Sequence, residues 1–284
     1  MHFTFGFRRR FVQILTVCIT NWELTNLLTG KIYKGPGKNL CAPGLNCYSC
    51  PSAMLSCPIG ALQTVGGTSG FSISFYVSGF LLLLGVLVGR LACGFLCPFG
   101  FFQELLHKLP VPKKKLFPPL IYVKYVVLVM FVLLVPLWGV ILQSDGQPAF
   151  CQYICPAGTL EGAIPLLLTH PEFRQAVGVL FAWKFIFLLG IMVGCIFIYR
   201  FFCKTLCPLG AIYGILNPVS LYRLRLIEQR CIDCGICQEI CPMNINPARQ
   251  TSSAECIMCG KCIEACPHQA LYLGRETKER CCRC

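Results

Sequence analysis

Apolar residues gather in four long stretches, separated by short polar or cysteine-rich connectors. Residues 119–142 and 176–199 are each long enough to cross the ~30 Å hydrocarbon layer as a helix. Residues 71–91 are nearly as continuous. Residues 11–28 are broken by Asn21, Trp22 and Glu23, and read either as a crossing or as a buried or interfacial helix. The pattern predicts a membrane α-helical domain of four transmembrane helices over residues 1–218, with crossings near 11–28, 71–91, 119–142 and 176–199. Between the second and third crossings, Phe101, Phe102, Leu105, Leu106 and Leu109 predict a short amphipathic helix closed by Pro110. After Pro218 the pattern changes. Residues 224–227 and 270–273 predict the two outer strands of a small α+β domain over 219–276, and residues 277–284 form a cysteine-rich tail.

Basic residues set the expected orientation, because cytoplasmic loops collect Lys and Arg. Arg8 to Arg10, the connector with Arg90, Lys108, Lys113, Lys114, Lys115 and Lys124, and the C-terminal part opening with Arg200, Lys204, Arg223 and Arg225 fall on one side, expected to be the cytoplasm. The other side receives Lys31, Lys34 and Lys38 and mainly acidic residues (Asp145, Glu161, Glu172). The expected location is therefore the cytoplasmic membrane, multi-pass. No small-residue cleavage site follows the first apolar stretch, which is expected to remain in the protein. The formal charge of +13 is not read as nucleic-acid binding, since the basic clusters flank apolar stretches and no groove-reading or base-stacking motif accompanies them.

The chain holds 23 cysteines in 284 residues that are 55% hydrophobic, a length and composition that argue for metal ligation over a small disulfide scaffold. Their spacing sharpens this. Cys231, Cys234, Cys237 and Cys241-Pro242 are followed by Cys256, Cys259, Cys262 and Cys266-Pro267, a tandem of the C-x2-C-x2-C-x3-C-P run that ligates cubane iron–sulfur clusters. In that run the fourth cysteine serves the other cluster, so Cys231, Cys234, Cys237 and Cys266 are expected around one core and Cys256, Cys259, Cys262 and Cys241 around its partner. The domain is expected to be a two-[4Fe-4S] ferredoxin. Zinc knuckles also use C-x2-C pairs but do not need the third cysteine two residues on.

A shorter phrase recurs four times upstream: Cys57-Pro-Ile-Gly, Cys97-Pro-Phe-Gly, Cys155-Pro-Ala-Gly and Cys207-Pro-Leu-Gly. Cys93, Cys151 and Cys203 stand four residues before the last three, and Cys41, Cys47 and Cys50 precede the first. A cysteine followed by proline at a helix start aims free N–H groups and the positive dipole end at its own sulfur, which favours the thiolate. One pair supplies half the ligands of a cubane, so pairs must meet. Topology brings Cys93, Cys97, Cys203 and Cys207 together as an inner cluster. Across the membrane, Cys151, Cys155, Cys57 and one of Cys47 or Cys50 are expected to form an outer cluster. A self-contained set of Cys41, Cys47, Cys50 and Cys57 competes with it, as do a disulfide or zinc. With four cubanes at about −2 each, the net charge falls to roughly +5.

The phrases at residues 89–100 (GRLACGFLCPFG) and 199–211 (YRFFCKTLCPLGA), with the paired ferredoxin runs, resemble the membrane-bound polyferredoxins, the group of NapH, MauN and NosR-type proteins. The resemblance implies a four-crossing electron carrier whose paired C-x3-C-P motifs face the cytoplasm beside a cytoplasmic ferredoxin domain. The Cys41 to Cys57 segment and the Cys151/Cys155 pair go beyond the simplest NapH-like pattern and suggest a wire that extends further outward.

No histidine lies in a crossing, C-x2-C-H is absent, and no Gly-rich dinucleotide fingerprint follows a strand, so haem and a nicotinamide site are not expected. Cys18 and Cys195 read as packing residues and Lys124 as snorkelling to the inner interface. Glu23 and Lys184, at comparable depth, are candidates for an ion pair or a quinone or proton site. Cys281, Cys282 and Cys284 read as a metal-binding or disordered end. The leading expectation is a membrane iron–sulfur electron-transfer protein, a carrier or redox subunit rather than a stand-alone catalyst. Its expected partners are a soluble donor or acceptor and other membrane redox subunits. The alternatives are a quinol/quinone oxidoreductase subunit, with quinone as a further cofactor, and a metal-handling protein that binds or reduces copper. A relay must also sink its inner and outer sites into the bundle, or bridge them by quinone, because the apolar layer is too thick for one comfortable step.

Overall fold

The computed structural model describes residues 5–66, 75–141 and 148–275. The tail with Cys281, Cys282 and Cys284, Asp145, and the first residues of the 71–91 stretch lie outside them. In chain order the helices are α1 (Phe5–Thr20), α2 (Thr25–Thr29), α3 (Pro58–Gly66), α4 (Phe75–Val88), α5 (Leu91–Phe95), α6 (Pro98–Leu106), α7 (Val123–Val127), α8 (Val135–Ile141), α9 (Ile164–Thr169), α10 (Val179–Phe197), α11 (Phe201–Thr205), α12 (Pro208–Leu216), α13 (Ile236–Glu239) and α14 (Lys261–Glu264).

Among the described residues, two helices are long and apolar enough to cross a membrane: Pro118–Trp138, which includes α7, and α10. Both turn most of their surface outward, and Leu133, Trp138, Trp183, Ile186 and Val193 are among the exposed side chains. α4 is apolar but shorter. The first stretch differs from a continuous crossing. α1 stops at Thr20, and α2 starts only at Thr25, where Asn21 to Leu24 interrupt the apolar run. Wide turns of π type occupy Leu128–Leu134 and Gly158–Ala163. Each ends two residues before a proline, Pro136 and Pro165, whose ring nitrogen cannot donate to the preceding turn, so the ladder is adjusted there.

The C-terminal domain is closed by an antiparallel pair, β1 (Arg223–Leu226) and β2 (Leu271–Gly274), with Arg223 opposite Gly274 and Leu226 opposite Leu271. Each strand lies within one residue of its expected position. The loops between them repeat their backbone every 25 residues: Asp233 and Met258, Gly235 and Gly260, Asn244 and Gln269 all have positive φ. Such left-handed positions let successive N–H groups turn toward one centre.

This domain docks on the helical part through buried charge. Arg90 donates to the Glu255 carboxylate at 2.7 Å and the Ala254 carbonyl at 2.8 Å, and Lys124 pairs with the other Glu255 oxygen. Lys124 therefore does not snorkel. It is fully buried, because a carboxylate from the docked domain is nearer than any interface. Burial alone would raise the Glu255 carboxyl, but Arg90 and Lys124 outweigh it and hold it below the ordinary range. Asn217 donates to the Ser253 carbonyl at 2.7 Å, and Lys204 to the Pro242 carbonyl at 3.0 Å. A Cβ on Gly94 would sit 2.4 Å from the Ile257 carbonyl, so only glycine permits this approach.

Removing one partner of a buried ion pair leaves the other charge unmatched. Glu255→Ala is expected to weaken docking by about 3–5 kcal/mol. Limited proteolysis checks this: cutting near Pro218 should rise sharply while the strands and cysteine loops of the C-terminal domain stay protected.

Candidate metal centres

The C-terminal domain gathers its eight cysteines into two hollows. Cys231, Cys234, Cys237 and Cys266 line one, and Cys241, Cys256, Cys259 and Cys262 line the other, so the last cysteine of each run sits with the other run's first three. The second hollow lies against the helical part, since Asn217 also donates to the Cys256 carbonyl at 3.3 Å. The first faces outward: Cys234 is exposed, and Ile232 and Ile236 beside it are 64% and 41% exposed. Burial pushes the Cys256 thiol up to about 12, so a bare thiolate is disfavoured there.

In the helical part, Cys97 and Cys207 cap α6 and α12. Gly100 N–H points at the Cys97 sulfur at 3.3 Å, and Gly210 N–H at the Cys207 sulfur at 3.4 Å. Proline at the first helical position leaves no N–H wasted, and the glycine of each phrase is the donor. Cys93, Cys97, Cys203 and Cys207 are all buried and close enough for each to act electrostatically on others of the set.

Two arginines cross over this inner set. Arg90 and Arg200 each stand three residues before the first cysteine of their own pair, and each reaches the opposite pair. Arg200 donates to the Cys93 carbonyl at 2.6 Å, and Arg90 lies 3.4 Å from the Cys203 carbonyl. Arg200 and Arg9 share the Glu104 carboxylate, and Arg200 has φ +51, a left-handed conformation that its bonds must hold.

A third group lies deeper along α10. Cys47, Cys57, Cys151 and Cys155 line one cavity of about 410 Å3, together with Asn46 and Tyr48. Cys57 receives N–H groups from Gly60, Ile59 and Asn46, and Cys155 from Gly158 and Ala157. Asn46 is fully buried, and its side-chain oxygen has no partner. Cys50 turns away: its thiol donates to the Glu161 carbonyl at 3.0 Å and meets Ser52 at 3.1 Å. Cys41 is buried at the other end of the same segment, paired with Ser56. Burial pushes the Glu161 carboxyl up to about 7, against the Cys47 N–H that it accepts at 2.8 Å.

Lys184 donates to the Cys151 carbonyl at 3.1 Å, and among the described residues no ion pair joins it to Glu23. Cys195 is fully buried against Gln103, as a packing residue would be, whereas Cys18 is exposed on α1. Among the described residues no three His, Cys, Asp or Glu side chains are grouped tightly enough for a single ion. The two C-terminal groups and the group of Cys47, Cys57, Cys151 and Cys155 instead line hollows, which suits a polynuclear core.

The segment between Cys41 and Cys57 does not stay at one surface. Leu45 N–H points at the Cys97 sulfur at 3.4 Å, and Tyr213 donates to the Pro43 carbonyl at 3.2 Å. Two residues after Leu45, Cys47 lines the outer cavity, so one short segment touches both thiol sets. Helix α10 gives the scale. Lys184 touches the Cys151 carbonyl and Cys195 touches Gln103 beside Cys203, and eleven residues at 1.5 Å each separate these two α10 positions by about 16 Å.

One element went unnoticed in the sequence. The residue six positions after each phrase's cysteine is Gln63, Gln103, Glu161 or Tyr213, and every one bonds to an opposing cysteine segment. The residue type changes between copies, from Gln in two to Glu and Tyr in the others, which hid the pattern. Only their common offset could have revealed it.

The chain matches the 4Fe-4S binding domain family over residues 69–116, 124–164 and 180–226, and the 4Fe-4S dicluster domain family over 222–278. It is 30% identical to an uncharacterized protein of Methanocaldococcus jannaschii over 61% of this chain and 60% of that protein. It is 36% identical to the methylamine utilization ferredoxin-type protein MauN of Methylorubrum extorquens over 32% of this chain and 34% of MauN. It is 31% identical to the protein NirI of Paracoccus denitrificans over 52% of this chain and 20% of NirI. The chain therefore spans less than two thirds of each of these three relatives. No solved structure matches. Eight paired cysteines in a dicluster domain, further cysteine pairs inside a second 4Fe-4S family, and ferredoxin-type relatives agree: the chain belongs to the polyferredoxin-type 4Fe-4S family and binds several [4Fe-4S] clusters.

Proposed function

We propose that this chain is a multi-pass protein of the cytoplasmic membrane that carries electrons between a cytoplasmic ferredoxin domain and an extracytoplasmic face. Its four sites are Cys231, Cys234, Cys237 and Cys266; Cys256, Cys259, Cys262 and Cys241; Cys93, Cys97, Cys203 and Cys207; and Cys47, Cys57, Cys151 and Cys155. The observation that carries this reading is the segment Pro43 to Cys47, which touches the inner set at Cys97 and lines the outer cavity. It supports sunken sites, with α10 contacts about 16 Å apart, in place of sites at opposite surfaces of a ~30 Å layer.

When bound, the clusters supply one-electron transfer. The protein's own residues hold the sites near each other, keep water out and oppose negative charge. At the inner set these residues are Arg90 and Arg200, with Gly100 and Gly210 as N–H donors. The exposed Cys234 edge, with Ile232 and Ile236, suits contact with a soluble redox partner. Orientation rests on Lys113 to Lys115 at one end of the helical part, with Trp138 and Trp183 exposed near the other ends of their helices. Four crossings follow if α1 and α4 accompany the two long helices.

Anaerobically purified protein is expected to hold about sixteen iron atoms and as many labile sulfides, against about eight for the ferredoxin pair alone. Zinc or copper in the outer cavity with only eight irons would favour the metal-handling reading. Cys47→Ser should lose about four irons and Cys50→Ser none, which chemical iron analysis resolves. In proteoliposomes with the ferredoxin domain outside, Cys203→Ser is expected to abolish reduction of an enclosed acceptor by an external low-potential donor. Unchanged reduction in that variant would sink the relay.

A further inference from the structure

Gln63 and Gln103 occupy the same place in two halves of the bundle. Each lies six residues after the cysteine that opens its helix, Cys57 or Cys97, and each is fully buried. Gln103 Nε2 lies 3.0 Å from the sulfur of Cys203, and Gln63 Nε2 lies 3.5 Å from that of Cys151. Cys203 and Cys151 are themselves equivalent, being the first cysteines of the fourth and third phrases. The amide oxygens match too. Gln63 accepts from Phe150 N–H at 2.9 Å and Gln103 from Cys203 N–H at 3.4 Å. Those bonds fix the amide orientation, because a flipped amide would set two donors face to face.

We infer that Gln63 and Gln103 are paired potential-setting residues, each donating an amide N–H to a thiolate of its own membrane cluster, contributed from the opposite cysteine phrase. The inference rests on the four-site reading and adds to it a residue class that the cysteine spacing does not contain. An N–H aimed at a ligand sulfur stabilises the extra negative charge of the reduced state, so it raises the potential. Each glutamine acts only on the set it touches. The shorter contact at Cys203 makes the inner effect the larger. A fully buried glutamine that merely tied two helices together would have no such selective effect.

The two roles separate in redox titrations of the whole protein followed by electron paramagnetic resonance. Gln103→Leu is expected to lower the midpoint of the inner cluster alone, and Gln63→Leu that of the outer cluster alone, with both ferredoxin midpoints unmoved. Midpoints equal to the wild type in both variants, or an equal shift of every cluster, would overturn the inference. Should a variant lose iron, the unmodified protein grown with amide-15N glutamine decides. Pulsed resonance of its reduced membrane clusters is expected to show coupling to the labelled nitrogen, and no coupling overturns the proposal. An iron count near eight in the wild type would instead reject the four-site reading itself.

Discussion

Arg90 and Arg200 each stand three residues ahead of their own cysteine pair and bond across to the backbone of the other. This exchange links the ends of two apolar hairpins that are far apart in sequence and places two permanent positive charges beside four buried thiols. A guanidinium stays charged even when buried. Here Glu104 and Glu255 supply the matching carboxylates. The same network therefore closes the bundle, balances the site and docks the C-terminal domain, since Glu255 belongs to that domain and is followed directly by Cys256.

The outer set is built on the same plan with less charge. Its phrases again aim glycine and neighbouring N–H groups at their sulfurs, and a glutamine again reaches across. The arginine position ahead of Cys151 is taken by Pro148, however, and the cations close by are lysines: Lys184, held at the Cys151 carbonyl, and Lys38, which donates to the Tyr48 carbonyl beside Cys47. Electrons carried on buried clusters are stabilised by nearby positive charge.

Much of the ferredoxin part was legible in the residues. Spacing sets the run of ligands, because a C-x2-C-x2-C loop can wrap only one core, and the strands fall within a residue of the expected places. The grouping of Cys93 and Cys97 with Cys203 and Cys207 was expected from counting crossings, and the four thiols are buried near one another. Lys124 was misread for a physical reason: a lysine near a helix end reaches water unless a carboxylate arrives from elsewhere, and Glu255 lies 131 residues away. The outer ligands stayed open because Cys47 and Cys50 are three residues apart. Which one faces the cavity depends on how Glu161 clamps the segment.

By itself, then, the sequence determined the kind of ligand and the presence of several clusters, since these depend on residue type and short spacing. Only the tertiary structure decided that residues 43 to 47 touch both thiol sets of the helical part, and that Gln63 and Gln103 face foreign cysteines. Those properties arise from contacts between segments 52 to 100 residues apart in the chain, and no local pattern encodes them.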